Sequence, residues 1–251
     1  MNRRTMLAIT VAMGTAALLI STAQPRARAN LQSPQADGDG FVSLFDGKTL
    51  DGWEGLDGFW SVKDGVIVGQ EDRSHPAPQT FLIYKNRNFS DFELHIKYRF
   101  ATPDGNSGIQ FRSKIIKPAQ LQVGGYQADM DGKRGYDGTI YDEQGVAGGR
   151  GTMSNRGERT VWTEENKRTA TKLPESAGEL KNLIKTNDWN DVVLVAQGPH
   201  VTYTINGHLM TDLTDNSPKA LHDGVLALQL HAGFVMEIQF KDVRIKVLEG
   251  R

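Results

Sequence analysis

Three short segments of the chain carry polar side chains that could bind a sugar. They alternate with apolar neighbours and comprise two amides, a guanidinium, a carboxylate and an imidazole, namely Arg112, Gln127, Asp129, Gln229 and His231. Such groups make directional hydrogen bonds to hydroxyls, which both donate and accept. If the three segments are neighbouring strands, the pattern predicts a polar trough for a hydroxylated ligand such as a carbohydrate. The alternative is an ordinary solvated face of an antiparallel sheet.

A fourth segment, residues 91–100, alternates in the same way along its whole length. Its even-numbered positions are apolar, and its odd-numbered positions include Glu93, His95, Lys97 and Arg99. Successive side chains of a strand point to opposite faces, so these four share one face. We expect Lys97 and Arg99 to be solvated, and we count Glu93 among the candidate ligand contacts.

Aromatic side chains could supply stacking surfaces for the C–H faces of sugar rings. The candidates are Trp53, Trp60, Trp162, Trp189, Tyr126 and Tyr141. Large aromatic residues are also common in hydrophobic cores, which is the alternative for each of them. Trp162 is the tryptophan that we count as a candidate substrate contact.

Common catalytic motifs are absent from the sequence, which has no G-x-S-x-G, no P-loop and no H-E-x-x-H. Asp129 and Asp131 have i, i+2 spacing, so both could face one side, as a conventional glycosidase would require. The segment 129–132 could alternatively bind Ca²⁺ in a loop or form an ordinary turn. We predict no cofactor and leave a divalent cation open.

Composition narrows the function classes further. The chain has 251 residues, a formal net charge of −1 and no cysteine. It therefore has no disulfide, no thiol nucleophile and no zinc site with thiolate ligands, and it lacks the basic surface expected of a nucleic-acid-binding protein.

The strand pattern predicts an all-β sandwich or jelly roll. Short strand-like runs separated by turn signals lie at 41–45, 59–63, 65–70, 80–84, 91–100, 107–114, 121–129, 138–142, 190–197, 200–206, 224–232 and 235–247. Asp64-Gly65 and Asn206-Gly207 are hairpin turn dipeptides. Many short strands with few helices are typical of two packed antiparallel sheets.

Residues 1–29 are predicted to be an export signal that is removed. Arg3 and Arg4 precede an apolar stretch, and Ala27-Arg28-Ala29 forms an A-x-A cleavage site. The paired arginines suit a twin-arginine signal, with an ordinary secretory signal as the alternative. Cleavage leaves 25 basic against 30 acidic residues, a net charge of −5. We expect a periplasmic or secreted protein without a membrane span, with a polar linker at 30–40 and one domain at 41–249.

One stretch, residues 143–188, departs from the strand pattern. It is rich in Gly, Thr, Arg and Glu, and a long segment without strands is often functional. Ser176 and Glu179 have the spacing of a capping box, which predicts one helix there. The stretch could be a lid over a binding face or a solvated surface excursion.

Ten short motifs in order resemble the 3-keto-disaccharide hydrolase domain family, and the resemblance covers residues 40–249. The motifs lie at 41–53, 60–65, 89–94, 106–112, 125–129, 138–143, 189–190, 205–207, 228–233 and 241–246. The resemblance implies a concanavalin A-like jelly-roll sandwich of two antiparallel sheets. It also implies cleavage of glycosides whose sugar has been oxidised at C3 by an upstream sugar 3-oxidoreductase.

The implied chemistry begins with removal of the C2 proton, which the C3 ketone acidifies. His231 or Asp129 is then the candidate general base, and Glu143 or Tyr141 the candidate proton donor to the leaving oxygen. Arg112 and Gln127 would polarise the keto group or orient hydroxyls. The remaining candidate substrate contacts are Gln229, Glu93, Asn106 and Trp162.

One position departs from the family pattern. Many members have Glu after Gly-Tyr, where this chain has Gln127. Any chemical role of that Glu must pass to another residue here, such as Asp129 or His231. Two other functions stay open, a non-catalytic carbohydrate-binding module and a conventional endo-glucanase, since one fold hosts many functions.

Overall fold

The computed structural model describes residues 37–249, which are almost entirely β-strand. The strands are β1 (Val42–Ser43), β2 (Trp53–Glu54), β3 (Trp60–Lys63), β4 (Val66–Glu71), β5 (Thr80–Tyr84), β6 (Phe92–Phe100), β7 (Asn106–Lys117), β8 (Gln122–Asp131), β9 (Ile140–Glu143), β10 (Thr152–Ser154), β11 (Glu158–Trp162), β12 (Arg168–Lys172), β13 (Asn190–Gln197), β14 (His200–Ile205), β15 (His208–Asp215), β16 (Val225–Leu230) and β17 (Met236–Val247). The helix α1 spans Ala177–Asn182, and a 3₁₀ turn spans Pro118–Gln120. The predicted signal at 1–29 and most of the linker at 30–40 lie outside the described residues.

The strands form two sheets that pack face to face. The ten-stranded sheet has the order β12-β11-β15-β14-β13-β6-β17-β4-β3, with β1 beside β17. The seven-stranded sheet has the order β10-β9-β8-β7-β16-β5-β2. The pairing is antiparallel except for β11 with β15, which is parallel. The predicted all-β jelly-roll sandwich of two antiparallel sheets is therefore confirmed.

Period-2 alternation explains why the sheets pack as they do. In β6 every second residue is buried, from Phe92 to Phe100, and these side chains join the main core. Ile109 and Phe111 of β7 meet them from the seven-stranded sheet. Because one face of each sheet is apolar, burying the two faces together removes both from water.

The strand β8 does not follow this simple alternation. All ten of its residues are buried, including the polar residues on the face away from the core. Loops and the end of the β7–β8 hairpin cover that outer face, and Thr80 Oγ1 donates to the carbonyl of Gln120 at 3.1 Å. The outer face of the seven-stranded sheet is therefore partly enclosed rather than fully solvated.

The two predicted hairpin dipeptides are confirmed as turns. Asp64-Gly65 joins β3 to β4, and Asn206-Gly207 joins β14 to β15. All four residues have positive φ, between 51° and 83°. This is the backbone of a two-residue type I′ turn, which favours Asn-Gly and Asp-Gly.

The prediction that residues 143–188 lack strands is wrong. The segment contains β10, β11 and β12, of which β10 extends the seven-stranded sheet and the other two extend the ten-stranded sheet. Because these three strands belong to the two sheets, the segment as a whole is not a lid. The predicted helix is confirmed as α1, with a capping box between Ser176 and Glu179. No helix among residues 37–249 is long and apolar enough to cross a membrane.

Candidate active site

A cleft of about 860 Å³ opens on the outer face of the seven-stranded sheet. The strands β7, β8 and β9, the residues that follow β16 and the loop 144–151 form its walls. Its volume lies within the usual range of small-molecule sites. Six predicted site residues line this cleft: Asn106, Gln127, Asp129, Tyr141, Glu143 and His231.

Asp129 is a buried acid that lines the cleft. Its side chain is buried, and its Oδ1 accepts a 2.6 Å hydrogen bond from Gln127 Nε2. Burial raises the pKa of Asp129 well above its usual range, while the bond from Gln127 opposes that rise. The nearby acids Glu143, Asp137 and Asp131 add to it. A carboxyl in this environment holds a proton at higher pH than usual and can donate it.

His231 follows the end of β16 at the opposite side of the cleft from β9. Its Nδ1 lies 2.8 Å from the carbonyl oxygen of Ala232, and its ring contacts Phe234 edge to face at 5.5 Å. A carbonyl oxygen only accepts, so Nδ1 is the protonated nitrogen of the neutral ring. The lone pair is then on Nε2, which makes this imidazole able to accept a proton there.

Glu143 and Tyr141 lie two residues apart on β9 and both line the cleft. Glu143 Oε1 accepts hydrogen bonds from Gln79 Nε2 at 3.1 Å and from Gln144 Nε2 at 2.7 Å. Asp142 between them also lines the cleft, and its carboxylate accepts backbone N–H bonds from Ala147 and Arg150. Asp142 thereby holds the glycine-rich loop 144–151 beside the cleft.

The structure does not place Arg112 in the cleft, which corrects the sequence prediction. Arg112 has φ +47° at a bulge in β7, and this left-handed residue breaks the alternation of the strand. Its guanidinium is buried, donates to the carbonyls of Ser90 and Gly198 at 2.7 Å, and pairs with Asp91 at 2.8 Å. Arg112 therefore ties the two sheets together and is not a ligand contact.

Gln229 also differs from its predicted placement. It lies on the expected face of β16, but it is fully buried and does not line the cleft. A second apolar cluster covers this part of the sheet, including Phe81, Ala227 and Val123. Within residues 37–249 neither atom of the Gln229 amide has a hydrogen-bond partner.

Glu93 and Trp162 belong to the ten-stranded sheet, so neither is a contact in this cleft. Glu93 accepts from His95 Nε2 at 2.6 Å on the outer face of β6. Trp162 is buried, donates from Nε1 to the Met153 carbonyl at 3.0 Å, and packs under Arg150. Among the other candidate platforms, Tyr141 alone lines the cleft; Trp53, Trp60 and Tyr126 are core residues, and Trp189 lies between Arg99 and Lys241.

Gln79 and Tyr136 are among the cleft residues that the sequence did not predict. Gln79 precedes β5 in a proline-containing loop, where nothing in the local pattern distinguishes it. Tyr136 is 60% exposed in the turn between β8 and β9. Its position between Gly135 and Gly138 was a usable signal, because an aromatic residue in a glycine-rich turn is poorly explained by the core.

Asp131 has a turn-forming role. Its Oδ1 accepts the N–H of Lys133 at 2.7 Å, and its Oδ2 accepts the N–H of Tyr136. This favours the turn interpretation of segment 129–132 over a Ca²⁺ loop. In residues 37–249 no group of three or more His, Asp or Glu side chains is arranged to hold a metal ion.

A jelly-roll sandwich with a polar cleft on one outer sheet face is an architecture shared by carbohydrate-binding and carbohydrate-cleaving proteins. The chain belongs to the 3-keto-alpha-glucoside-1,2-lyase-like domain family, whose model matches residues 40–246. The family resemblance seen in the sequence is thereby confirmed.

Relatives agree with this assignment. The chain is 23% identical to a 3-keto-disaccharide hydrolase of Bacteroides thetaiotaomicron, over 88% of this chain and 82% of the relative. Among solved structures, a candidate glycosyl hydrolase of Parabacteroides distasonis is similar at TM-score 0.55 and 21% identity, covering 84% of this chain and 95% of that one. The carbohydrate-binding module CBM66 of Bacillus subtilis has TM-score 0.51 and 16% identity, covering 77% and 94%. These structural similarities support the fold.

Proposed function

We propose that this protein cleaves 3-keto-glycosides, including 3-keto-disaccharides, in the cleft on the seven-stranded sheet. The observation that carries the proposal is the meeting of four proton-carrying side chains in one cleft: Asp129, Tyr141, Glu143 and His231. Membership of the 3-keto-alpha-glucoside-1,2-lyase-like family supports the substrate class.

The proposed reaction starts with transfer of the C2 proton to His231 Nε2. The C2–H electron pair forms an enolate with the C3 carbonyl, and the proton on Asp129 Oδ2 hydrogen-bonds to the enolate oxygen. The C1–O bond then breaks, C1=C2 forms, and the C3 carbonyl returns. Tyr141 or Glu143 gives a proton to the leaving oxygen. Addition of water across C1=C2 completes net hydrolysis.

The test compares a 3-keto-glucoside with the same glucoside before oxidation. Turnover of the 3-keto-glucoside alone supports the proposal, and turnover of the unoxidised glucoside supports an endo-glucanase instead. Binding without turnover supports the carbohydrate-binding module, which the similarity to CBM66 favours as the second candidate. Under the proposal, an oxidoreductase acting on the C3 hydroxyl must supply the substrate.

Tyr136 is expected to contact the leaving part of a larger substrate. It is 60% exposed and lines the cleft, so its ring is free to stack on a sugar face. Tyr136→Ala should raise KM for a 3-keto-disaccharide roughly 3- to 10-fold, the scale of one aromatic contact. KM for a methyl 3-keto-glucoside should hardly change. Tyr136→Phe is the matched control and should behave like the wild type; equal KM changes for both substrates would contradict this role.

Export is also part of the proposal. The small residues Ala27 and Ala29 fit the positions that a signal peptidase reads. The mature protein from its native host should therefore begin at Asn30, which intact-mass measurement checks. An exported protein that retains residues 1–29 would contradict the prediction.

A further inference from the structure

A buried chain of hydrogen bonds runs beneath the cleft and ends on Asp129. Ser113 Oγ donates to Gln110 Oε1 at 2.7 Å, and Gln110 Nε2 donates to Gln127 Oε1 at 2.6 Å. Gln127 Nε2 then donates to Asp129 Oδ1 at 2.6 Å. All four side chains are buried. An amide has one accepting end and one donating end, so the bonds run in one direction, and Asp129 Oδ1 is an acceptor.

The chain starts at Ser113, whose one hydroxyl proton has Gln110 Oε1 as its nearest acceptor, at 2.7 Å from Oγ. Ser113 lies in the β7 bulge, and its Oγ is 2.9 Å from the Phe111 carbonyl and 3.3 Å from the Tyr126 carbonyl. The facing residue is Gly125, with φ +140°, where an added Cβ would lie 2.6 Å from Ser113 Oγ. The close approach of the two strands therefore requires glycine there and holds Ser113 in place.

Gly108 leaves the space that the Gln127 side chain occupies. It is the β7 partner of Asp129, and a Cβ at Gly108 would lie 2.5 Å from Gln127 Cγ and 2.6 Å from Cδ. The Gln127 side chain lies across this position and reaches both Gln110 and Asp129. A side chain at position 108 would displace it.

We propose that Ser113, Gln110 and Gln127 are positioning residues that fix the Asp129 carboxyl, so that its Oδ2 is the oxygen that carries the proton to the substrate. Ser113 and Gln110 do not line the cleft and act through Gln127. The catalytic consequence rests on the proposed function, whereas the orientation of the carboxyl does not.

The groups that face Asp129 are mostly acidic. Glu143 approaches from β9, Asp131 lies two residues along β8, and Asp137 lies in the following turn. His231 lines the same cleft, and the Tyr203 hydroxyl donates to the backbone carbonyl of Asp129 at 3.1 Å. Within this set, the Gln127 amide is the group that donates to the Asp129 carboxyl.

The sharpest test is Gln110→Glu, whose side chain keeps the size of glutamine and, in its ionised form, has no donor. The Gln127 amide should then turn its Nε2 toward position 110 and present Oε1 to Asp129, so that the Asp129 proton must sit on Oδ1. We expect kcat on a 3-keto-glycoside to fall roughly 10- to 100-fold, the scale of a misplaced catalytic group. KM should stay within about twofold, because the substrate contacts are untouched. The alkaline limb of the pH profile should move to higher pH, because Asp129 loses a bond that favours its ionised form.

Gln197→Glu, the same change on the ten-stranded sheet, is the matched control and should leave kcat and the pH profile unchanged. Gly108→Ala displaces Gln127 without removing a polar group, and its backbone is compatible with alanine. It should lower kcat in the same way, and it decides the question if Gln110→Glu does not fold. If both variants keep the wild-type kcat and pH profile, the proposal is overturned.

A substrate-free readout separates this inference from the proposed function. The carboxyl ¹³C resonance of Asp129 reports its titration directly. In Gln110→Glu the midpoint should rise relative to both the wild type and Gln197→Glu. If the wild type does not turn over 3-keto-glycosides but this midpoint rises, the function fails and the positioning chain stands. An unchanged titration midpoint of Asp129 would overturn the proposed positioning role of Ser113, Gln110 and Gln127.

Discussion

Replacing His231 with Ala should lower turnover of a 3-keto-glycoside by roughly 10²-fold or more, the usual scale for a lost general base. The Nδ1–H of His231 is bonded to the Ala232 carbonyl at 2.8 Å, which leaves Nε2 as the nitrogen able to take the C2 proton. The ring lies at the end of β16 and is only partly buried, so its loss should leave the sandwich folded. Steady-state kinetics together with the melting temperature measures both effects.

Exchange of the C2 hydrogen with solvent deuterium gives the more direct measurement. In the proposed reaction His231→Ala slows this exchange as much as it slows turnover, because proton removal comes first. His222→Ala, an exposed histidine outside the cleft, is the matched control and should change neither rate. If a folded His231→Ala protein turns over the 3-keto-glycoside at nearly the wild-type rate, His231 is not the base. Asp129 is then the next candidate.

The sequence was most informative where one physical rule acted alone. Alternation of apolar and polar residues was sufficient to predict strand β6 and its buried face. The dipeptides Asp64-Gly65 and Asn206-Gly207 predicted their turns because few residues accept positive φ. The strand β12 was missed because all five of its residues are exposed. Because such a strand has no buried face, its sequence shows no alternation of apolar and polar residues.

The candidate site was predicted correctly where the strands alternate regularly and their polar face is open. Alternation correctly placed Gln127 and Asp129 of β8 on the cleft face, and it also held for His231, the residue that follows β16. It failed at Arg112, where a left-handed residue in a bulge reverses the side chain, and a bulge leaves no clear mark in a single sequence. It also failed at Gln229, because alternation gives the face of a strand and not what covers that face.

The departure from the family pattern at position 127 has a local physical explanation. The Gln127 side chain accepts from Gln110 and donates to Asp129 at the same time. An ionised Glu at this position could accept but could not donate. The amide therefore matches the two neighbours that this chain places beside it, and under the proposed function Asp129 and His231 carry the chemistry.

Loss of the buried Arg112 guanidinium should cause the largest change in the stability of the fold. Arg112 is 2% exposed, and its guanidinium bonds Asp91 at 2.8 Å and the carbonyls of Ser90 and Gly198 at 2.7 Å. Arg112→Met keeps much of the volume but leaves the Asp91 carboxylate and both carbonyls without this donor. We expect the free energy of unfolding to fall by about 3–5 kcal/mol, the usual cost of removing one partner of a buried ion pair.

Urea denaturation of the wild type and Arg112→Met measures this loss. Arg159→Met is the matched control, because Arg159 pairs with Asp212 at 2.8 Å but its side chain is 59% exposed. An exposed pair should contribute at most about 1 kcal/mol, since water and salt screen it. At a temperature where the variant is folded, KM for a 3-keto-glycoside should match the wild type, because the guanidinium does not line the cleft. A raised KM with unchanged stability would return Arg112 to the substrate site and contradict its role as a tie between the sheets.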